Sequence, residues 1–545
     1  MFTLPNRQAA KLKAERMLDT IFEHATIVDG SGLSSYCTDV AIADSRIVLI
    51  GDLRDRIARE RRSCRGKVLA PGFIDVHSHS DELWLALPAC DGKVAQGVTT
   101  EVAGNCGTSV APLSGMALER KRLVARRYNV EPEWHSFDEF FSLVERQGVG
   151  LNVASLVGLG TTRSIVAEYS ERPLEESALA GQAGLVRAAC EEGALGVSSG
   201  LIYPPSQYAN TQELVAMARA AREAQAPLYA SHIRNEGDGV IEAIAEAITI
   251  GTQADVAVQC SHHKAQGRKN WGKVHETLAM VERARTNGLA IHTDAYPYVA
   301  SWTELASILP EDVRLGGPHA TVARLCDPPT ATAVALKLSM RDPDEWRDIL
   351  VTSVGSEKNA PLAGMRLSEI AAHWGITPQH AAIRLLREEQ LEVEAAFFSM
   401  CEDDVSAVFS AGFTCVGSDA SVRALQGITA VGIPHPRTFG TFPRVFGRFV
   451  RARKTLGLEE AVRRMTALPA QVFRLRDRGK IAIGGYADIV VFDPDHIRDT
   501  ATYEEPYQLP VGIDHVYVNG TAVLKDGALT GALPGAVLRG GIARA

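Results

Sequence analysis

The run Pro71-Gly72-Phe73-Ile74-Asp75-Val76-His77-Ser78-His79 is apolar until it ends in His-x-His. Side chains at i and i+2 of a strand share a face, so His77 and His79 would emerge side by side at a strand end. Two neighbouring imidazoles supply half of a tetrahedral zinc site. Further candidates recur at the ends of other apolar runs. They are Cys106 in Gly104-Asn105-Cys106-Gly107, His232 after Tyr229-Ala230-Ser231, His262 in Ser261-His262-His263-Lys264, and Asp419 in Val416-Gly417-Ser418-Asp419. Sulfur with imidazole is a borderline-soft set that suits zinc over magnesium or calcium. Only one of His262 and His263 can face inward from a strand, and His262 is the expected one. Each residue also has a plainer reading: Cys106 as a free thiol, His232 as a core histidine, Asp419 as the cap of a following helix. A metal-assisted hydrolase, however, needs a general base at that rim.

The elements that must gather these residues form an alternation of strand-like runs and amphipathic helices. Strands are expected to end near His77, Ala103, Val157, Ser198, Ala230, Ser261, Thr293 and Ser418. Ser136 with Glu139 predicts a capping box for a helix over 137–146. Helical periodicity marks 212–225, 240–250 and 273–286. Eight such alternations predict a (β/α)8 TIM barrel, an α/β fold whose catalytic groups sit at the C-terminal strand ends. The expected barrel comprises 70–299 plus 396–477. The stretch 300–395, with helical patterns at 366–373 and 378–388, is too long for a simple crossover and reads as an inserted subdomain that could cover the site as a lid. β-rich segments at both ends, 18–69 plus 478–545, are expected to pair into one small β-sandwich or β-barrel domain. Residues 1–17 read as a tail or short helix.

The chain has 545 residues, 46% of them hydrophobic and 22% charged, with a net charge of −8. No basic excess points to nucleic acid and no polybasic run points to an anionic membrane. No apolar stretch reaches the roughly 18–20 residues of a membrane span. Nine scattered cysteines fit reduced thiols better than a disulfide framework, so a cytoplasmic protein is expected. Oligomeric state is not readable.

These motifs resemble the amidohydrolase superfamily, and within it the N-acyl-D-amino-acid deacylases (D-aminoacylases). The resemblance rests on the His77-x-His79 run, Gly97-Val98-Thr99-Thr100 with Gly104-Asn105-Cys106-Gly107, and Gly196-Val197-Ser198-Ser199-Gly200-Leu201-Ile202-Tyr203-Pro204. It continues through Ser231-His232-Ile233-Arg234-Asn235-Glu236, Ser261-His262-His263-Lys264, Asp294-Ala295-Tyr296-Pro297-Tyr298 and His435-Pro436-Arg437.

The resemblance implies one tight zinc on Cys106, His232 and His262, and a second, weaker metal position at His77 and His79 sharing the Cys106 sulfur. It implies Asp419 as the general base for hydrolysis of an N-acyl-D-amino acid. Lys264 and Arg437 would hold the substrate carboxylate with Tyr203 and Tyr296 as hydrogen-bond partners; without the resemblance both cations read equally well as surface charges. Many superfamily members bridge two metals with a carboxylated lysine from strand four, where this chain offers Ser198, Ser199 and Gly200. The family usually has serine before a threonine near Tyr298, whereas this chain has Trp302 before Thr303, which would reshape the side-chain pocket. The alternatives are an amidohydrolase for cyclic amides or D-peptide bonds, and a non-catalytic relative, which would be expected to have lost ligands.

Overall fold

The computed structural model describes residues 17–540; apart from Met17, the expected N-terminal tail lies outside them. Strands from both ends of the chain form one nine-stranded sheet. The N-terminal members are β1 (Leu18–Ile27), β2 (Tyr36–Ala43), β3 (Arg46–Gly51), β4 (Ala58–Ser63) and β5 (Val68–Pro71). β1 carries a register shift between Phe22 and Ala25 in its pairing with β2.

Next come the strands that carry the candidate site. β6 (Phe73–Asp75), β7 (Val98–Ala103) and β8 (Asn152–Ser155) form a three-stranded parallel sheet. β9 (Val157–Gly158), β10 (Val197–Gly200), β11 (Leu228–His232), β12 (Ala257–Cys260) and β13 (Ile291–Ala295) continue as a second parallel sheet. Only Leu156 separates β8 from β9, and it keeps the ladder going by donating its N–H to Ala103 O. Most residues of these strands are buried, which is why they read as continuous apolar runs.

The insert follows. β14 (Ser301–Glu304), β15 (Ile349–Val354) and β16 (Val393–Phe397) make an antiparallel sheet in the order β14-β16-β15. Its helices pack Leu305, Trp346, Leu367, Ile370, Leu385 and Leu386 into a separate hydrophobic cluster. The chain then returns to the parallel sheet as β17 (Thr414–Val416), beside β13. A parallel bridge between Ser78 and Ala420 links the ends of β6 and β17. Finally β18 (Ile489–Phe492), β19 (Ile513–Val518), β20 (Thr521–Lys525) and β21 (Ala528–Leu529) complete the first sheet, with β18 against β5.

The helix Phe137–Gln147 begins with the capping box expected at Ser136 and Glu139. Helices Thr211–Glu223, Val240–Ala254 and Lys273–Thr286 occupy the other periodic segments. Among the described residues no helix is long and apolar enough to cross a membrane.

Candidate metal centre

Cys106 lies in the turn after β7, with φ at 52°. A side chain on Gly104 would place its Cβ 2.0 Å from Leu156 O, and one on Gly200 would sit 2.0 Å from Cys106 O. The turn therefore packs directly onto neighbouring backbone, and glycine is what lets it do so. Ser198, from β10, staples it by donating to Gly104 O and accepting from Gly107 N–H. Ser198 thereby holds the loop that carries the thiol.

Around Cys106 Sγ stand His77 Nε2 at 3.3 Å, His232 Nδ1 at 3.6 Å and His262 Nε2 at 3.6 Å. Tetrahedral zinc, with bonds of about 2.3 Å to sulfur and 2.0–2.1 Å to nitrogen, holds such atoms about 3.5 Å apart. Two groups could each hold an ion: Cys106, His232 and His262, and His77, His79, Cys106 and Asp419. Cys106 is common to both. Burial would raise its thiol pKa, but the His77 charge and hydrogen bonds from the three imidazoles outweigh that and hold it well below the usual thiol value. A thiolate is the form a metal binds.

The second partners of these ligands were not singled out by the sequence reading. Glu236 Oε1 lies 2.9 Å from His262 Nδ1. Lys264 Nζ, which can only donate, lies 2.7 Å from the same Nδ1 and bonds to the same Glu236 oxygen, so the carboxylate backs the ring both directly and through the lysine. Asp294 Oδ1 plays the same part 3.1 Å from His77 Nδ1. Both carboxylates sit inside motifs quoted above, and their spacing from a histidine gave no hint of the pairing. His263 points away, with Nε2 2.9 Å from Thr277 Oγ1.

Two local expectations change. β6 stops at Asp75, so His77 and His79 are held past the strand's end, and their rings pack edge to face with centroids 5.3 Å apart. No helix follows Asp419 closely enough for it to be a cap, since residues 420–436 contain none. Asp419 instead has φ at 51°. One oxygen lies 3.0 Å from His79 Nε2 and 3.4 Å from His77 Nε2, and the other 2.9 Å from Arg437 Nη1. Burial would raise its pKa; Arg437, His262 and His77 together hold it well below the usual carboxylate range. Left-handed backbone at Cys106, His262 and Asp419 costs on the order of 1–3 kcal/mol each and clusters where geometry serves chemistry.

Lys264, Arg437, Tyr203 and Tyr296 all line a cavity of about 750 Å3 that reaches the cluster. Lys264 and Arg437 are 5% and 1% exposed, so neither is a surface charge. Among the described residues, the Tyr296 hydroxyl is buried without a hydrogen-bond partner. Tyr203 Oη and Thr303 Oγ1 are 2.8 Å apart, joining the β10 loop to the insert. Trp302 lies between two guanidiniums, its ring 5.7 Å from Arg437 and 5.5 Å from Arg423, and its indole N–H donates to Thr352.

Comparison with known proteins agrees with this geometry. The Amidohydrolase family model matches residues 62–136 and 185–524. An N-acyl-D-glutamate deacylase of Alcaligenes xylosoxydans xylosoxydans is 37% identical over 96% of this chain and 97% of its own length. A D-aminoacylase of the same organism is 35% identical over 95% and 97%. The crystal structure of N-acyl-D-glutamate deacylase from Bordetella bronchiseptica, complexed with zinc and a phosphonate mimic of the tetrahedral intermediate, superimposes with a TM-score of 0.82 at 36% identity, covering 96% of this chain and all of that one. Dihydropyrimidinase from Brevibacillus agri, at 16% identity and a TM-score of 0.55, shares the fold. The chain belongs to the amidohydrolase family, in its N-acyl-D-amino-acid deacylase branch.

Proposed function

We propose that this protein hydrolyses the acyl amide bond of N-acyl-D-amino acids, giving a carboxylate and a free D-amino acid, with zinc held tightly by Cys106, His232 and His262. His77 and His79 form a second, weaker metal position through the shared sulfur. The observation that carries this reading is the buried Cys106 sulfur at tetrahedral ligand spacing from imidazoles of two distant segments. The relatives support the D preference and the small-molecule substrate.

The same reading covers the architecture. With β8 and β9 taken as one strand, the parallel strands run in chain order, and the Ser78–Ala420 bridge joins the last to the first, as in a closed (β/α)8 barrel. We divide the chain into that barrel (72–299 plus 398–477), the insert (300–397) and the terminal β-domain (18–71 plus 478–540), the expected boundaries at 69/70 and 395/396 moving to the ends of β5 and β16. We place the protein in the cytoplasm on its nine scattered cysteines.

Bound zinc would supply Lewis acidity at the acyl carbonyl and bring the pKa of water towards about 7. The chain's own residues do the rest. Lys264, Arg437 and the unpartnered Tyr296 hydroxyl converge on the cavity and grip the α-carboxylate, arginine offering a planar fork that matches it. Asp419, kept ionised, takes the proton of the attacking water and returns it to the leaving amine nitrogen. Trp302 and Thr303, from the insert, wall the cavity beside Arg437 and shape the side-chain pocket.

A screen of N-acetyl-D- and N-acetyl-L-amino acids, with metal analysis and chelation, tests this. Hydrolysis of D substrates that is lost with the chelator is expected. Turnover of hydantoins with none of N-acetyl-D-amino acids would transfer the protein to cyclic amides.

A further inference from the structure

Lys93 is a fully buried lysine that the reaction does not use. It lies in the short helix Asp91–Val94, and its Nζ reaches three neighbouring segments. It donates to Asp75 Oδ2 at 2.6 Å, to Ser418 Oγ at 2.7 Å and to Ala420 O at 2.9 Å, with Glu101 Oε1 at 3.2 Å. Ser418 and Ala420 are the residues immediately before and after Asp419. Asp75, at the end of β6, accepts N–H bonds from Ser418 at 2.9 Å and from His77 at 3.2 Å. Asp419 itself donates its N–H to His77 O at 2.8 Å. Glu101 also accepts from Ser78, Ser80 and the Trp84 indole, and Ser80 accepts the Val422 N–H.

One ammonium therefore joins the ends of the first and last parallel strands beneath the site. A left-handed residue such as Asp419 persists only where its surroundings over-determine it. None of these contacts reaches Cys106, His232, His262 or Lys264.

We propose that Lys93 is a positioning residue for catalysis: by bonding to the residues on either side of Asp419, it fixes the carboxylate in place for proton transfer. This rests on Asp419 being the base. A displacement of about 1 Å at such a group can cost on the order of 100-fold in rate, so the role is expected in kcat and not in KM.

The test is a cycle of Lys93→Met and Asp419→Asn in the zinc-loaded enzyme, following kcat, KM and bound zinc. Lys93→Met should lower kcat by about 10–100-fold, leave KM within about twofold and retain zinc. In the Asp419→Asn background it should cost nothing further, because the group it positions is gone. Unchanged kcat, or the same fold-loss in both backgrounds, would overturn the proposal. If Asp419→Asn alone keeps full activity, the assignment of the base fails first and the positioning role falls with it. If Lys93→Met does not fold, Ser418→Ala gives the second reading. It removes one bond beside Asp419 while keeping the Lys93–Asp75 pair, and should lower kcat with rescue by Ser418→Thr; a Ser418→Ala enzyme with wild-type kcat refutes the role.

Discussion

Arg437 Nη1 and Asp419 Oδ2 are 2.9 Å apart, so the residues proposed as carboxylate clamp and general base are ion-paired. The guanidinium thus has two calls on it. It helps hold Asp419 ionised, and in the proposed mechanism it also meets the substrate carboxylate.

Arg437→Met should therefore have two signatures. KM for N-acyl-D-amino acids should rise by roughly 10–100-fold, the worth of a charge-assisted hydrogen bond at about 1.5–3 kcal/mol. Loss of the arginine also lets the Asp419 pKa rise, so the acid limb of kcat/KM should move to higher pH. Initial-rate profiles of both enzymes at saturating zinc check this, and an unmoved limb with unchanged KM would remove both roles.

Cys106 is the atom on which the metal reading turns, because both ligand groups include its sulfur. Cys106→Ala should lower bound zinc at both positions, measured by elemental analysis after dialysis. Full zinc occupancy in the variant would refute the ligand role.

The candidate ligands could be read from the chain because each follows a short apolar run. What holds them in place could not. Lys93 and Ser418, or Ser198 and Gly104, are far apart in sequence and ordinary in type; only the tertiary fold brings them together. Asp419 shows the limit from the other side. Its residue type suited both a base and a helix cap, and the cap was excluded by a backbone that runs on without a helix. The insert's helices Leu367–Trp374 and Pro378–Glu388 were legible from periodicity, whereas the way β14 presents Trp302 to the cavity was not.

Glu236 supports His262 from behind, and this also gives a measurable expectation. Glu236→Gln keeps the size of the side chain but removes the charge beside His262 Nδ1 and Lys264. Outer partners of metal-bound histidines typically contribute 10–100-fold in affinity. A competitive chelator titration should show zinc affinity reduced by about that factor, together with a looser Lys264, which lies 2.5 Å from the same oxygen. Unaltered affinity would mean that His262 is oriented by packing alone.

The insert should be sensitive to acid for a separate reason. Glu388 closes its helix, and burial alone would raise its pKa. Hydrogen bonds from Lys358, Arg384 and Asn359 outweigh that and hold it at about 2. Glu389 is shifted the same way: burial opposes, and bonds from Ser356 and Asn359 prevail. A folded pKa below the unfolded value of about 4.3 stabilises the protein above that pH, and the gain is lost as pH falls towards 2. Because the pairs of Glu388 are partly solvated, its share is about 0.2–1 kcal/mol. Urea unfolding of Glu388→Gln should show a lower midpoint than wild type at pH 6, with the gap closing steadily as the pH is lowered through 4. A gap independent of pH would place the loss in packing and not in charge.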